Sequence, residues 1–351
     1  MFKCWHPKDR ARDGIAAVMV HLSFCLLSGI LQIRCEMMFT FAGCGMQYSI
    51  CSDRLKKEKK YYIMVLTISG EGKVAMKKFL GRFFLLFMMI LLIGGCARQK
   101  ETENVMKKSL NSNQLKLIAV LAMIFDHLLW VIKPGYNNGT IVLLLHLIGR
   151  IVAPIFCFFI AEGAYYTKDR KKYLTRLLMF ALISHFAYCF AFGINFIPFK
   201  NGTSFNQTSI MWSLALGLIG IMIQDSKLNN KVKTLFILLL CVLGFPSDWS
   251  SVAVMIIIYN YEYRNNFKKQ MISQTVFAGI YSLVYCIFIN IQYGIIQMGT
   301  VLAIPLLKLY NGKRGTWKGM KYFFYIIYPV HLIICGILRL YLYGNISTMI
   351  G

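Results

Sequence analysis

Four ionisable residues lie inside otherwise apolar stretches of the chain, and their types are those of a group-transfer site. Asp126 and His127 lie within IAVLAMIFDHLLWVI (118–132), where thirteen of the fifteen residues are apolar. Arg150 lies within LLLHLIGRIVAPIFCFFIAEG and His331 within FFYIIYPVHLIICGILRL. An imidazole is a general base near neutral pH, a nearby aspartate can orient it, and a guanidinium suits a phosphate or a carboxylate. The set predicts transfer of a group from an anionic donor.

The elements that must position these residues are membrane helices. The chain has 351 residues, of which 57% are hydrophobic, whereas a soluble domain keeps this fraction nearer to half. Blocks of about 20 apolar residues can cross roughly 30 Å of hydrocarbon. The sequence predicts an all-α, polytopic membrane protein with about nine transmembrane helices (range 8–10) in residues 106–351. The predicted blocks are 115–132, 141–161, 173–194, 209–224, 232–246, 249–263, 270–290, 294–310 and 321–343.

The basic residues indicate how these blocks are oriented. The formal net charge is +25, but the lysines and arginines cluster in short loops between apolar blocks, which favours a role in topology and predicts no nucleic-acid partner. Strongly basic loops such as TKDRKKYLTR and EYRNNFKK alternate with nearly neutral ones such as KPGYNNGT and FPSD. This pattern predicts a multi-pass protein whose core starts in the cytoplasm and ends outside. With the bacterial lipoprotein-like signal described next, we expect it in the bacterial cytoplasmic (inner) membrane.

The first 105 residues differ from the rest. Residues 1–75 form an atypical extension, and MKKFLGRFFLLFMMILLIGGC, within 76–105, has the pattern of a lipoprotein signal ending at Cys96. A lipidated Cys96 would place the next block outside, whereas Lys107, Lys108 and Lys116 predict that this block enters from inside. We expect the functional domain to be 106–351, with the upstream part a mis-set start or a fused reading frame.

Further polar residues extend the candidate site. Lys116 precedes His127 by eleven residues, which returns to nearly the same helix face, and His146 shares a face with Arg150. Glu162 closes the second block, and Asp248 with Trp249 opens the sixth at its outer end. Structural pairing is the simpler interpretation for His185 and Glu162, and in part for His146. The cysteines form no metal-binding pattern, so no metal is expected.

The sequence resembles the TraX family. The resemblance covers residues 113–343 and is carried by KLIAVLAMIFDHL, IGRIVAPIFCFFIAEGAYYTKDRKKYLTRLLMFALISH, SDWSSVAVMIIIYNYEYR and YIIYPVHLII. The namesake is implicated in N-terminal acetylation of conjugative pilin, and the family resembles transmembrane acyltransferases that use cytoplasmic acetyl-CoA. Those enzymes carry a basic residue and a histidine eleven apart on the first span, here Lys116 and His127.

The residue types together with the resemblance predict a role for each candidate residue. His127, Asp126 and His331 would be catalytic, with Asp126 orienting His127. The acetyl-CoA donor would be bound by six residues, Lys116, Arg150, Glu162, Lys171, Lys172 and Arg176, and by the basic loop 313–321. Asp248, Trp249 and His146 would face the acceptor, a pilin-like N-terminus or a hydroxyl of an envelope glycan. Two departures are Lys116 in place of the usual arginine and Ser184-His185 in place of the usual acid.

Two other classes of function use the same residues. A transporter could use them as a proton relay, although the two halves show no inverted repeat. A non-catalytic partner in the assembly of surface appendages would need them only for structure. An intramembrane protease fits poorly, because the chain has no GxSxG, HExxH or paired-aspartate signature.

Overall fold

The computed structural model describes residues 109–136, 139–200, 205–317 and 319–347, without the side chain of Lys321. The predictions for residues 1–75 and 76–105, including Cys96, and for Met106 as a start, lie outside these ranges. The described residues form helices and contain no β-strand. This confirms the predicted all-α membrane architecture.

Eleven α-helices and one 3₁₀ turn follow one another along the described residues. The first is α1 (Ser112–Ile132), which begins with a capping box in which the side chains of Asn111 and Gln114 each accept the other's backbone N–H, at 3.0 and 2.9 Å. The others are α2 (Gly139–Gly149), α3 (Val152–Tyr166), α4 (Arg170–Phe192), α5 (Ile210–Gln224), α6 (Asn230–Gly244), α7 (Ser250–Glu262), α8 (Phe267–Phe288), α9 (Ile291–Gln297), the 3₁₀ turn Met298–Leu302, α10 (Ala303–Lys308) and α11 (Met320–Tyr343).

Each of the nine predicted blocks corresponds to one helical segment, but only six of these segments are long and apolar enough to cross a membrane. The six are α1, the α2–α3 segment, α4, α8, the α9–α10 segment and most of α11. The remaining three, α5, α6 and α7, have 13 to 15 residues. They are therefore about 20 to 22 Å long, which is less than the roughly 30 Å of the hydrocarbon core.

Two prolines shape the helices that carry the candidate site. Pro154 has no N–H for the carbonyl of Arg150, and the helix is interrupted between α2 and α3 at Arg150 and Ile151. The interruption of the second block therefore falls at the arginine itself. Pro329 lies inside α11, two residues before His331.

The direction of each helix places the loops in two groups. The nearly neutral loops follow α1, α4, α6 and α8, and the basic loops lie at the opposite ends of those helices. Helix α7 packs between α3 and α5, and α11 packs against α1 and α4. The chain therefore alternates between a basic end and a neutral end, while the assignment of these ends to the inside and outside of the cell stays a prediction.

Candidate functional site

A cavity of about 60 Å³ lies at the neutral end of the helices. Its walls come from the second half of α1, the α2–α3 turn, the ends of α4 and α8, the starts of α5 and α9, the turn before α7, and α11. Most of its lining side chains are polar or aromatic. Five of the predicted site residues line it, namely Asp126, His127, Arg150, Asp248 and Trp249.

Asp126 is the centre of a buried ionic cluster beside this cavity. Its Oδ1 lies 2.7 Å from Nδ1 of His146, and its Oδ2 accepts a hydrogen bond of 2.8 Å from Nη2 of Arg150. The side chains of all three residues are less than 10% exposed. A carboxylate and a guanidinium at this distance compensate each other's charge, and removing either would leave an isolated buried ion.

Arg150 is held by further bonds. Its Nη1 donates to Oε1 of Gln297 at 2.9 Å, and its Nε donates to the carbonyl oxygen of His146 at 3.2 Å. The guanidinium also lies 5.4 Å from the ring centroid of Tyr293. Of the five N–H groups of the guanidinium, these bonds and the bond to Asp126 use three. The remaining two have no hydrogen-bond partner among the residues that the structure describes, and Arg150 lines the cavity.

The cluster depends on a close approach of two helices at Gly149. A Cβ atom at this position would lie 2.5 Å from Oδ1 and 2.6 Å from Cβ of Asp126. Atoms cannot approach so closely without displacement, so any larger residue would push α2 away from α1 or move the carboxylate. The glycine of the Gly149-Arg150 motif thus lets the carboxylate and the guanidinium meet.

His127 is paired with His331. Nδ1 of His331 lies 2.9 Å from the carbonyl oxygen of Ile327, which can only accept, so Nδ1 carries the proton. In neutral His331, Nε2 is then an acceptor, and it lies 2.7 Å from Nδ1 of His127. His127 therefore carries its proton on Nδ1, and its Nε2 has a free lone pair. Within the described ranges no residue hydrogen-bonds Nε2, and His127 lines the cavity.

The sequence predicted that Asp126 orients His127, and the structure gives each of them a different partner. Adjacent residues of an α-helix point about 100° apart, so Asp126 faces α2 whereas His127 faces α11. The group that orients the imidazole of His127 is His331, and the partner of Asp126 is His146. His146 lies behind the cavity, and its Nε2 has no hydrogen-bond partner among the residues described.

The predicted donor-binding residues other than Arg150 lie away from the cavity, towards the basic end. Lys116 is 11 residues from His127, or about 16 Å along α1, and its Nζ lies 4.9 Å from the ring centroid of Phe159 and 5.7 Å from that of Phe324. Lys171, Lys172 and Arg176 lie in the first two turns of α4. The structure therefore divides the predicted site into two parts.

Glu162 is already engaged at this basic end. Its Oε1 lies 2.8 Å from Nε of Arg264, whose guanidinium stacks 3.6 Å from the ring centroid of Tyr165. This ion pair ties α3 to the loop between α7 and α8. The carboxylate is therefore already paired with a neighbouring arginine, and its expected contact with the donor stays a prediction.

Several residues of the cavity wall and one partner of Arg150 were not predicted from the sequence. Gln297 and the tyrosines were not selected, since tyrosines near block ends are usually interfacial anchors. A buried arginine needs acceptors besides one aspartate, so the need for a residue such as Gln297 was foreseeable, although its position was not. No group of three or more His, Cys, Asp or Glu side chains in the described residues is placed to hold a metal ion.

The sequence model of a family described as "TraX protein" matches residues 111–339. The chain belongs to the TraX family. The match includes all the cavity residues as well as His146, Gln297 and His331. With the helices described above, this makes the chain a multi-pass membrane protein of the TraX family.

A similar sequence has a name that refers to fimbrial assembly. The "Probable fimbrial assembly protein FimC, serogroup H1" of Dichelobacter nodosus is 30% identical over 232 residues, which cover 64% of this chain and 93% of that protein. No solved structure matches the chain.

Proposed function

We propose that this TraX-family protein is a membrane acyltransferase that moves an acetyl group from cytoplasmic acetyl-CoA to a pilin-like N-terminus or to an envelope hydroxyl. The observation that supports the proposal is the relay from Ile327 through His331 to His127. It fixes the proton of His127 on Nδ1 and leaves Nε2 as a base towards a small polar cavity. A base within reach of the acceptor's proton is the first requirement for acyl transfer.

The reaction begins at Nε2 of His127. This atom takes a proton from the acceptor N–H or O–H while the acceptor atom attacks the thioester carbon of acetyl-CoA. The two unused N–H groups of Arg150 stabilise the negative oxygen of the tetrahedral intermediate. The C–S bond then breaks, and the proton passes from Nε2 to the sulfur to give CoA and the acetylated product. His331 donates no proton to the reactants but keeps His127 in the reactive tautomer.

The donor would reach the cavity along the seam between α1 and α11. Lys116 lies over Phe324 of α11 at the basic end of this seam, while Met123 and Tyr328 line the cavity further along it. The phosphates would meet Lys116 and the basic stretches 168–176 and 313–321, which lead into α4 and α11, and the pantetheine arm would lie along the seam. The acetyl group alone would then enter a cavity of about 60 Å³.

The printed name of the Dichelobacter nodosus relative supports a link to pili or fimbriae. It also supports a second candidate function, which is a non-catalytic role in fimbrial assembly. In that case the polar cluster would serve the fold, and acetyl-CoA would not bind. The two functions therefore differ in whether the chain consumes acetyl-CoA.

The test is transfer of labelled acetyl from acetyl-CoA in bacterial membranes that contain the full chain. His127→Ala should abolish most transfer, since general-base catalysis contributes about 10²- to 10⁴-fold. His185→Ala is the matched control, because His185 does not line the cavity and bonds Thr208 and the carbonyl of Phe196 instead. Equal labelling by wild type and His127→Ala would remove His127 from the chemistry. Absence of labelling, together with no thermal stabilisation by CoA, would favour the assembly function.

A further inference from the structure

The charges around the cavity do not balance once Asp248 is included. Arg150 and Asp126 compensate each other through their 2.8 Å ion pair. Asp248 also lines the cavity, is half-buried, and forms no ion pair with any residue in the described part of the chain. With His127 neutral, an ionised Asp248 gives the cavity a net charge of −1. Such a cavity attracts a cation and repels a phosphate.

The turn that carries Asp248 is rigid. The backbone N–H of Asp248 donates to the carbonyl of Thr208 at 2.8 Å, and Ser213 bonds both Ser247 and the carbonyl of Ser250. Trp249 and Ser250 have φ angles of +64° and +50°, a left-handed conformation that costs non-glycine residues about 1 kcal/mol or more each. The indole of Trp249 stacks on Tyr281 at 5.0 Å. These contacts hold the backbone of Asp248 at the cavity wall, and Asp248 lines the cavity.

The rest of the wall suits an ammonium group. Aromatic rings enclose the cavity, and their faces attract cations, most strongly where water is excluded. The aromatic residues besides Trp249 and Phe192 are Trp130, Tyr136, Tyr188, Tyr285, Tyr293 and Tyr328. A carboxylate without a cationic partner beside such rings is a site for a primary amine in its charged form.

The number of bases at the cavity distinguishes the two acceptor types. A hydroxyl loses one proton when it is acetylated, so one base is enough. An ammonium must lose one proton before it can attack and a second as the amide forms, so it needs two bases. The cavity has two basic groups, Nε2 of His127 and the carboxylate of Asp248, and neither forms an ion pair with a residue that the structure describes.

We propose, building on the acyltransferase function above, that Asp248 is the second catalytic base, which binds the acceptor as an ammonium and accepts its first proton. The resulting neutral amine attacks the acetyl carbon, and His127 takes the second proton and delivers it to the sulfur. Asp248 then releases its proton to solvent. The products are an amide, CoA and one proton, which balances the reaction of an ammonium with a thioester.

The protonation of Asp248 is compatible with this role. Burial raises its pKa to about 6, an effect that the charge of Arg150 partly offsets. The other charged or titratable groups that face it are Asp126, His127 and the phenols of Tyr136, Tyr188, Tyr281, Tyr285 and Tyr328. At pH 7 the carboxyl is therefore mainly ionised, yet more basic than an ordinary aspartate.

The experiment uses membranes with the full chain, labelled acetyl-CoA, and hydroxylamine, which releases label from esters but not from amides. Wild type should yield hydroxylamine-stable label. Asp248→Asn should lower the rate of amide labelling about tenfold or more at pH 7, where only about a tenth of an α-amine of pKa about 8 is neutral. At pH 9 the loss should shrink to less than about twofold, because the acceptor then arrives uncharged. Glu262→Gln, at the other end of α7, is the matched control and should show neither change.

Each other outcome has its own meaning. No transfer by wild type would remove the acyltransferase function itself. Transfer by wild type only as hydroxylamine-labile ester would keep that function and overturn the second base. Amide labelling by Asp248→Asn equal to wild type at pH 7, or a loss of the same size at pH 7 and pH 9, would also overturn it. The last result would mean that Asp248 serves the fold, since a structural defect is not rescued by deprotonating the acceptor.

Discussion

Replacing Asp126 by asparagine is the perturbation that tests the buried cluster most directly. The substitution keeps the size of the side chain and one carbonyl oxygen but removes the charge. Asp126 contacts His146 at 2.7 Å and Arg150 at 2.8 Å, and all three side chains are less than 10% exposed. Breaking a buried pair by neutralising one partner costs about 3–5 kcal/mol, because the other charge is left uncompensated. We expect Asp126→Asn to lower the free energy of unfolding by that amount.

The chain offers a matched pair for comparison. Asp225 and Arg170 form an ion pair of 2.5 Å, but their side chains are 42% and 26% exposed. Exposed pairs contribute about 0–1 kcal/mol, so Asp225→Asn should have a far smaller effect than Asp126→Asn. Unfolding would be followed by the loss of helical circular dichroism during titration with SDS in mixed micelles.

A double variant measures the interaction energy between Asp126 and Arg150. In Asp126→Asn combined with Arg150→Gln no isolated charge remains, so the loss should be smaller than the sum of the two single losses. We expect a coupling of about 2 kcal/mol, within the usual range for residues in contact. The reasoning would be refuted if Asp126→Asn cost no more than Asp225→Asn, or if the single losses simply added. Arg150 would then be free to serve an external anion, as its residue type first indicated.

Three further outcomes are expected. Gly149→Ala should lower the free energy of unfolding by about 1–3 kcal/mol, measured in the same titration, because the new methyl group would overlap Asp126. His331→Leu should lower acetyl transfer at least about tenfold while CoA still raises the melting temperature, since only the tautomer of His127 is lost. Asp248→Asn should raise the melting temperature at pH 8 but not at pH 4: the folded-state pKa is raised to about 6, so the wild type loses stability as pH rises from about 4 to 6.

The positions of the helices followed from the sequence because hydrophobic length and loop charge are local properties. Each predicted block differs from its helical segment by only a few residues at either end. The apolar blocks did not indicate the exact lengths of the helices. Helices α5, α6 and α7 form as predicted but are shorter than a membrane span. An apolar run indicates a helix, whereas the packing of that helix between other helices decides whether it must cross the membrane.

The residue types of the site could also be predicted from the sequence. An ionisable residue within an apolar block costs free energy in the membrane, so its presence indicates a function or a buried partner. Helical geometry alone separates Asp126 from His127, which point about 100° apart. Which helices they meet depends on the packing of α2 and α11 against α1. These contacts join residues up to 204 positions apart, and no local pattern encodes them.

The sequence by itself determined the class of the protein, its family resemblance and the polar residues that required an explanation. Only the tertiary structure decided the partners of those residues: Asp126 with Arg150 and His146, His127 with His331, and Glu162 with Arg264. It also placed Lys116 away from the cavity and brought Asp248 to it. The physical reason is that helix periodicity fixes the direction of a side chain, while the group it meets is fixed by how separate helices pack.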